Sequence, residues 1–446
     1  MGMLTPDARP VRFGDLPLGK FVRRLTILSA MGLFLDGYDL TIISVALLFI
    51  KPQFHPAPYL VGLVGAAALG GMFVGSLVLG NLSDRYGRRT MYVFDLLFFV
   101  VFAILSALSQ NMVELIIFRF FLGIGIGADY PISSALTAEF APTKRRGMLL
   151  VTTIAFWQVG AVVAYGASLL MLHIGPEAWR WMLASGAIPA LIVMWLRRTI
   201  PESPRWLTAT GRPAEGMKIA QEVATAQGAL LKEDIPDTPT PTSKVASFRR
   251  LFEPDLIRLT IFTAGCWFLF DVGDYGTIVF FSTIFKMMAG STLMSSVLAS
   301  GAIAAIAFVG IAIDWLIVDK VGRKLPQAVG FLGLGVIFIT MALIKPAFAL
   351  FLILFLVMYI FQQGPGQMTY VFPGEVFPTS VRATGHGFAT SFSRLGGLLG
   401  VFVFPIMLAK YGLGAGLLLF GVCALGGFVL TVWLAPEPKG KKLADA

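Results

Sequence analysis

Charge is scarce in this 446-residue chain: Asp, Glu, Lys and Arg make up 13% of it, against 57% hydrophobic residues. Cysteine and histidine are scarcer still, at two and three residues. Cys266 and Cys423 fall in separate apolar runs, which excludes a disulfide framework and leaves them as small packing residues. His55, His173 and His386 fall at the expected ends of apolar runs without acidic or thiol company, so neither a metal centre nor a histidine proton relay is expected. There is no G-x-x-x-x-G-K-[ST] loop, so ATP bound to this chain is excluded as a driving force. Gly123, Gly125 and Gly127 lie inside an apolar run and not after a strand, which excludes a dinucleotide site. No nucleophile–base pattern is present, and an enzyme is not expected.

What is abundant is apolar sequence in long runs. The mean hydropathy is +0.80, more than a soluble core can use but suited to stacked spans of roughly 20 residues. Twelve such spans are expected, at about 25–50, 59–82, 91–109, 113–139, 148–172, 180–200, 259–286, 293–318, 325–344, 347–372, 386–409 and 411–434. No cleavage site follows the first, which is expected to be a retained helix and not a signal peptide. Glycines crowd spans two and four, where they let helix backbones approach closely.

The net charge of +10 is explained by its placement. Arg9 to Arg24 precede span one, Arg85 to Arg89 follow span two, Lys144 to Arg146 follow span four, and Lys320 to Lys324 follow span eight. The long segment after span six and the chain end are basic too, while the opposite side carries only Lys51, Arg180, Lys286, Lys345 and Lys410. This positive-inside pattern predicts a multi-pass protein of the cell membrane with both termini in the cytoplasm. The partners implied are the lipid bilayer and a small-molecule substrate, with no nucleic acid, and a monomer is expected.

The chain repeats itself. Phe34-Leu35-Asp36-Gly37-Tyr38-Asp39 recurs 235 residues on, so Asp271 matches Asp36 and Asp274 matches Asp39. Asp84-Arg-Tyr-Gly-Arg-Arg89 recurs as Asp319-Lys-Val-Gly-Arg-Lys324, Glu139-Phe-Ala-Pro-Thr143 as Glu375-Val-Phe-Pro-Thr379, and Pro201-Glu202 as Pro436-Glu437. Each copy holds six spans, an even number, so the copies are parallel repeats. The expected organisation is a six-helix bundle over residues 1–200, a cytoplasmic loop over 201–257 and a second bundle over 258–446. In the loop, Pro213 to Lys232 reads as a polar helix, Asp234 to Ser243 as a flexible linker, and Ser247 to Phe252 as a membrane-surface segment.

A carboxylate in the middle of a span is costly and usually marks a solute or proton path. With a rise of 1.5 Å per residue, Asp36, Asp129, Gln158, Asp271 and Arg394 all come out ~12–18 Å from the cytoplasmic face, near the midplane. Gln158 and Arg394 are 236 apart and so repeat partners. Trp267, Asp271 and Tyr275 are four apart on one helix face. Asp36, Asp39, Asp129, Asp271 and Asp274 are the candidate proton-coupling residues; the plain alternative for Asp36 and Asp129 is neutralisation of Arg394 or Arg119. Tyr130, Gln158, Trp267, Asp271, Tyr275, Gln367 and Arg394 are the candidate substrate contacts, with packing as the alternative for the aromatics. Candidate gating charges are Asp84, Arg85, Arg88, Arg119, Glu139, Arg145, Asp319, Arg323, Glu375 and Arg382; all but Arg119 lie at cytoplasmic turns. Their alternative is orientation charge alone, which accounts for the basic residues but not for the repeated acids.

The Asp84–Arg89 loop and its second copy resemble the loop signature of the major facilitator superfamily. Pro201-Glu-Ser-Pro-Arg-Trp-Leu207 and Pro436-Glu-Pro-Lys-Gly440 resemble the branch that holds sugar porters, phosphate:proton symporters and organic-acid:proton symporters. Trp267 to Tyr275, Gly127-Ala-Asp-Tyr-Pro131 and Arg119 look like the phosphate:proton symporters, whose pattern implies proton handling by Asp36, Asp129 and Asp271. It also implies an anion site lined by Tyr130, Gln158, Trp267, Asp271 and Tyr275. Arg394 stands where that family has a lysine and, with Asp36-Gly-Tyr-Asp39, is similar to the aromatic-acid:proton symporters. The resemblance implies an all-α membrane fold of twelve transmembrane helices in two six-helix pseudo-repeats. It further implies proton-coupled symport of a small anion by alternating access, phosphate ahead of organic acids and sugars, with the proton as coupling ion and no cofactor. A transporter-like nutrient sensor is the alternative outside transport, and a uniporter the alternative within it.

Overall fold

The computed structural model describes residues 10–11, 19–140, 146–231, 248–289, 292–378 and 381–438. Each expected span is occupied by a helix or by a pair of helices. The first six are Lys20–Phe54, Pro58–Tyr86, Arg88–Leu108, Met112–Phe140, Arg146–Met171, and the pair Ala178–Ser185 and Ala187–Arg197. The seventh is the pair Ile257–Ile278 and Phe281–Ala289, followed by Leu293–Val321, Lys324–Ile344, Phe348–Val376, Arg382–Tyr411 and Leu413–Leu434. A 29-residue helix such as the second or fourth is ~44 Å long, more than a ~30 Å hydrocarbon core requires. Large apolar side chains such as Leu170, Trp195, Leu343 and Trp433 are more than 60% exposed on the helix exteriors, which suits lipid and not water. The protein is a multi-pass membrane protein.

The repeat is legible in the packing. A Cβ at Gly160 of the fifth span would lie 2.0 Å from the carbonyl oxygen of Phe34 in the first. Its repeat partner Gly396, in the eleventh span, stands the same way against Phe268 of the seventh, where a Cβ would lie 2.3 Å from the carbonyl. Only glycine lets these backbones touch, so spans one and five, and seven and eleven, cross at matching points of the two halves. Below, the face carrying the loops between spans two and three and between spans eight and nine is called the basic face.

On that face the Pro-Glu repeats have a structural role that sequence reading did not assign. Glu202 accepts a hydrogen bond from the Arg89 backbone N–H (3.1 Å), and Glu437 accepts from those of Arg323 (3.1 Å) and Lys324 (3.0 Å). Each carboxylate caps the N-terminus of a helix, where unpaired donors and the helix dipole favour negative charge. The turns that present those donors pivot on Gly87 and Gly322, with φ of 98° and 92°, a region that only glycine occupies without strain.

Span seven departs from the expected continuous helix. It bends by 54° between Ile278 and Phe281, and its repeat partner, span one, does not break over its 35 residues. The bent end is held by Ser282, whose N–H donates to Ser44 Oγ across the two halves (3.2 Å) and whose hydroxyl meets Ser300 (3.3 Å). His386 lies near the start of the eleventh helix, as expected, and is half-buried, with Nε2 3.2 Å from the Tyr370 carbonyl and Nδ1 3.2 Å from the Thr390 hydroxyl.

After the sixth span, Pro213–Ala226 forms the expected helix, ending before Lys232. Ala220, Val223 and Ala224 pack with Leu25, Leu28 and Tyr92 under the first half, and Leu230–Leu231 pairs in parallel with Pro10–Val11. The expected linker Asp234 to Ser243 lies outside the described residues. Phe248 and Phe252 stack edge-on against Phe388 of span eleven.

Candidate functional site

Between the halves lies a cleft of about 610 Å³, its open side included. Span seven lines it with Trp267, Asp271, Asp274 and Tyr275, span eleven with Arg394, span ten with Gln362, Gln363 and Gln367, span four with Tyr130 and span five with Trp157 and Gln158. All seven candidate substrate contacts therefore face one space. Trp267, Asp271 and Tyr275 do so because a spacing of four keeps them on one helix face.

Arg394 is the hub, buried at 2% exposure. Its Nη1 reaches Asp271 Oδ2 at 3.3 Å and also donates to the Tyr275 hydroxyl. The guanidinium carbon lies over the ring of Tyr130, 4.5 Å from its centre, and 5.3 Å from the ring centre of Tyr275. Tyr130 donates its hydroxyl to Asp36 Oδ2, and Trp157 Nε1 donates to the same oxygen at 3.0 Å. Asp36 Oδ1 has no partner. The repeat-related carboxylates Asp36 and Asp271 are thus joined through Tyr130 and Arg394, one contributed by each half.

The outer pair of aspartates is not symmetric. Asp39 is clamped two-point by Arg119 (2.9 and 3.4 Å), which also reaches the Val64 carbonyl. Arg119 is thereby a partner of a candidate proton carboxyl within the first half and not a substrate contact. Asp274, the repeat counterpart of Asp39, has the amide of Gln362 as its partner and, among the described residues, forms no ion pair. Gln158 reaches across to span eight, where Nε2 donates to the Ala304 carbonyl at 2.6 Å. Gln367 is 3% exposed with neither amide atom bonded, so it presents a donor and an acceptor to whatever enters.

Asp129, a candidate proton-coupling residue, has a different setting from Asp271. It lies outside the cleft, held by Arg197 of span six through Nη1 at 2.8 Å and Nη2 at 3.0 Å, with Ser133 Oγ at 3.0 Å. The reason is helical geometry: Tyr130 points into the cleft, so its neighbour, ~100° round the helix, points into the bundle. Asp95 of span three shares the same guanidinium at 3.9 Å. Neither Arg394 nor Arg119 is the cation that Asp129 neutralises. Asp95 was missed because it stands alone in its apolar run, and Arg197 because, beside Arg198, it reads as a basic flank at the end of a span; the signal available was that Arg197 sits inside the span and not in the loop after it. Trp157 and Gln362 were missed for want of repeat partners of their own kind.

Of the gating residues at the basic face, Arg323 and Glu375 form a two-point ion pair within the second half, at 3.0 and 3.2 Å. Arg145 lies outside the described residues, as do the side chains of Asp84, Arg85, Arg88, Glu139, Asp319 and Arg382. Among the described residues no group of three or more metal-ligating side chains is present.

Known proteins match this arrangement along its whole length. The profile of the family described as "Sugar (and other) transporter" matches residues 25–446. The inner membrane metabolite transport protein YgcS of Escherichia coli K12 is 34% identical over 440 residues, covering 99% of this chain and 97% of its own length. The arabinose-proton symporter of Bacillus subtilis is 31% identical, covering 95% and 94%. The repressible high-affinity phosphate permease of Neurospora crassa is 28% identical, covering 96% and 87%. Among solved structures, the proton:xylose symporter XylE of the major facilitator superfamily superposes with a TM-score of 0.76 at 24% identity, over 95% of this chain and 98% of its own, which shows the shared fold. With twelve spans in two repeats around a central polar cleft, the chain belongs to the sugar (and other) transporter family and shares the fold of XylE; it is a membrane transporter and not an enzyme.

Proposed function

We propose that the protein is a proton-coupled symporter of a small organic anion, working by alternating access with the basic face in the cytoplasm. The observation that carries this is the pairing of Arg394 with Asp271 inside the cleft. Among the described residues Arg394 is the one cation lining it, against two carboxyls, Asp271 and Asp274. With both carboxyls ionised the lining is net negative and repels an anion. With both protonated it is net positive, and Arg394 is released from Asp271 to bind one. Proton loading therefore raises anion affinity, and a bound anion holds the protons in place. The hydrogen bonds of Arg394 to Asp271 and Tyr275 both run through Nη1, so Nη2 and Nε can serve as a fork for a carboxylate or phosphate.

The rest of the lining bears on the substrate's body. Gln363 and Gln367 with Trp267 line the cleft with amide and indole groups beyond what one phosphate group needs, and they suit a chain of hydroxyls. A hydroxylated carboxylate such as a sugar acid meets both halves of this chemistry. Inorganic phosphate uses the Arg394 end alone. A neutral sugar uses the glutamine end alone, and the arabinose-proton symporter among the relatives supports that second reading. Uptake into proteoliposomes under an imposed pH gradient, with D-gluconate, phosphate, benzoate and D-xylose side by side, tests the proposal. Accumulation of D-gluconate driven by the gradient and abolished by Arg394→Ala supports it; accumulation of D-xylose alone overturns the anion reading.

A further inference from the structure

One buried acid takes no part in the cleft. Asp314 of span eight is 6% exposed, its Oδ2 has no hydrogen-bond partner, and among the described residues it makes no ion pair. It lies on the stripe Ala307, Gly310, Asp314, Val318 that faces the protein, while its neighbours Ile313 and Trp315 are exposed on the other side. An isolated carboxylate buried at membrane depth is unfavourable, and such residues persist mainly on proton or solute routes.

The helix packing places Asp314 next to the cleft. A Cβ at Gly310 would lie 2.6 Å from Gln363 Cγ and 2.6 Å from the Ile360 carbonyl oxygen, so this stripe packs on span ten. Ile311 lines the cleft together with Gln363 and Gln367. Spans eight and ten run in the same direction, both even-numbered. One turn beyond the Gly310–Gln363 contact, towards the basic face, Asp314 comes level with Gln367. A carboxyl oxygen and an amide, both buried and both without partners, thus sit at one level on the basic-face side of the cleft.

Other titratable groups lie on the packed elements. On span ten, the Tyr370 ring packs edge-on against Trp267 and His386 while its hydroxyl, about one turn beyond Gln367, has no hydrogen-bond partner among the described residues, and Glu375 is clamped by Arg323. On span nine, Lys324 donates to the Val432 carbonyl. The bent end of span seven offers Lys286 at the opposite face, Tyr165 of span five packs on Gly301 a full three turns away, and Tyr359 of span ten lies two turns back towards that face. Lys320, on the helix of Asp314 itself, lies six residues nearer the basic face.

We infer that Asp314 is a second proton-carrying group, passing protons between the cleft and the basic face. The inference rests on the proton-coupled reading above. In the step it adds, the carboxylic proton of Asp271 moves to a water held by the Gln367 amide, and that water gives a proton to the Asp314 carboxylate. Asp271 is left ionised beside Arg394, and Asp314 is neutral until it returns its proton to water at the basic face.

Two measurements on the full chain in proteoliposomes test this. N,N′-dicyclohexylcarbodiimide modifies protonated carboxyls in apolar sites; peptide mass spectrometry should find its adduct on Asp314 at about pH 6 and several-fold less of it at about pH 8. With D-gluconate, phosphate and D-xylose as probes, Asp314→Asn should lower gradient-driven accumulation about tenfold and leave gradient-free counterflow within about twofold, with Asp314→Glu restoring the drive. A wild type indifferent to the gradient with every probe overturns the symport reading itself. A gradient-driven wild type with an equally driven Asp314→Asn overturns the Asp314 inference alone. Should the Asn variant fail to fold, absence of the carbodiimide adduct from Asp314, or an adduct independent of pH, overturns it.

Discussion

The guanidinium of Arg394 lies 4.5 Å over the ring of Tyr130, and that tyrosine donates its hydroxyl to Asp36. Span eleven of one half and span four of the other therefore meet at a cation–π contact, with a repeat-related aspartate at each end. Any substrate that draws Arg394 away from Asp271 also disturbs the hydrogen bonds of Asp36, so charge in one half is coupled to charge in the other.

Removing the Arg394 charge is expected to weaken anion binding. A charge-assisted contact in a dry site is worth roughly 1.5–3 kcal/mol, so Arg394→Ala should weaken D-gluconate binding about tenfold or more. Arg394→Lys keeps the charge without the fork, and should retain phosphate binding better than carboxylate binding. Equilibrium binding of both anions to the three proteins checks this.

Asp271→Asn mimics the permanently protonated state. It should bind anion with little dependence on pH and exchange it across the bilayer, while gradient-driven accumulation falls about tenfold or more. Counterflow and gradient-driven uptake, measured on the same proteoliposomes, separate the two effects. An Asp271→Asn protein that accumulates as the wild type does would remove this residue from the coupling.

Asp129 should behave differently from Asp271, because its partner is the fully buried Arg197. Breaking a buried pair by removing one member typically costs about 3–5 kcal/mol, so Asp129→Asn should lower the thermal unfolding temperature markedly. Pairing it with Arg197→Gln should recover part of that loss, by double-mutant logic. A stable Asp129→Asn protein that has lost only its proton coupling would return this residue to the coupling group.

The two Pro-Glu caps give a prediction for the basic face. Glu437→Gln keeps the shape but removes the charge from the start of span nine, and should cost about 0.5–1 kcal/mol. Glu202→Gln should cost a similar amount at span three. Chemical unfolding of each single variant, in the same detergent, measures both.

The twelve spans and the repeat were legible because apolar run length and a 235-residue offset survive in one dimension. So were the cleft residues that recur by fours, Trp267, Asp271 and Tyr275. The depth of Asp129 was readable, but depth is only one coordinate. Which way a residue faces depends on helix phase, and Tyr130 already occupied the inward phase. The bend after Ile278 was hidden because no proline marks it; the strain is taken up by contacts with Ser44 and Ser300 that are distant in sequence. The partner of Asp39 was only half visible. Arg119 could be seen as buried, yet its choice of Asp39 over a ligand is a matter of tertiary distance.

The most direct test of the central claim is simultaneous measurement of D-gluconate and proton movement into proteoliposomes holding the wild-type protein. Under an inward proton gradient, D-gluconate should accumulate above its external concentration. An outwardly imposed D-gluconate gradient should in turn drive protons out, and both fluxes should vanish in Arg394→Ala. Equal D-gluconate uptake with and without the gradient, or gradient-driven uptake that persists in Arg394→Ala, would contradict the account.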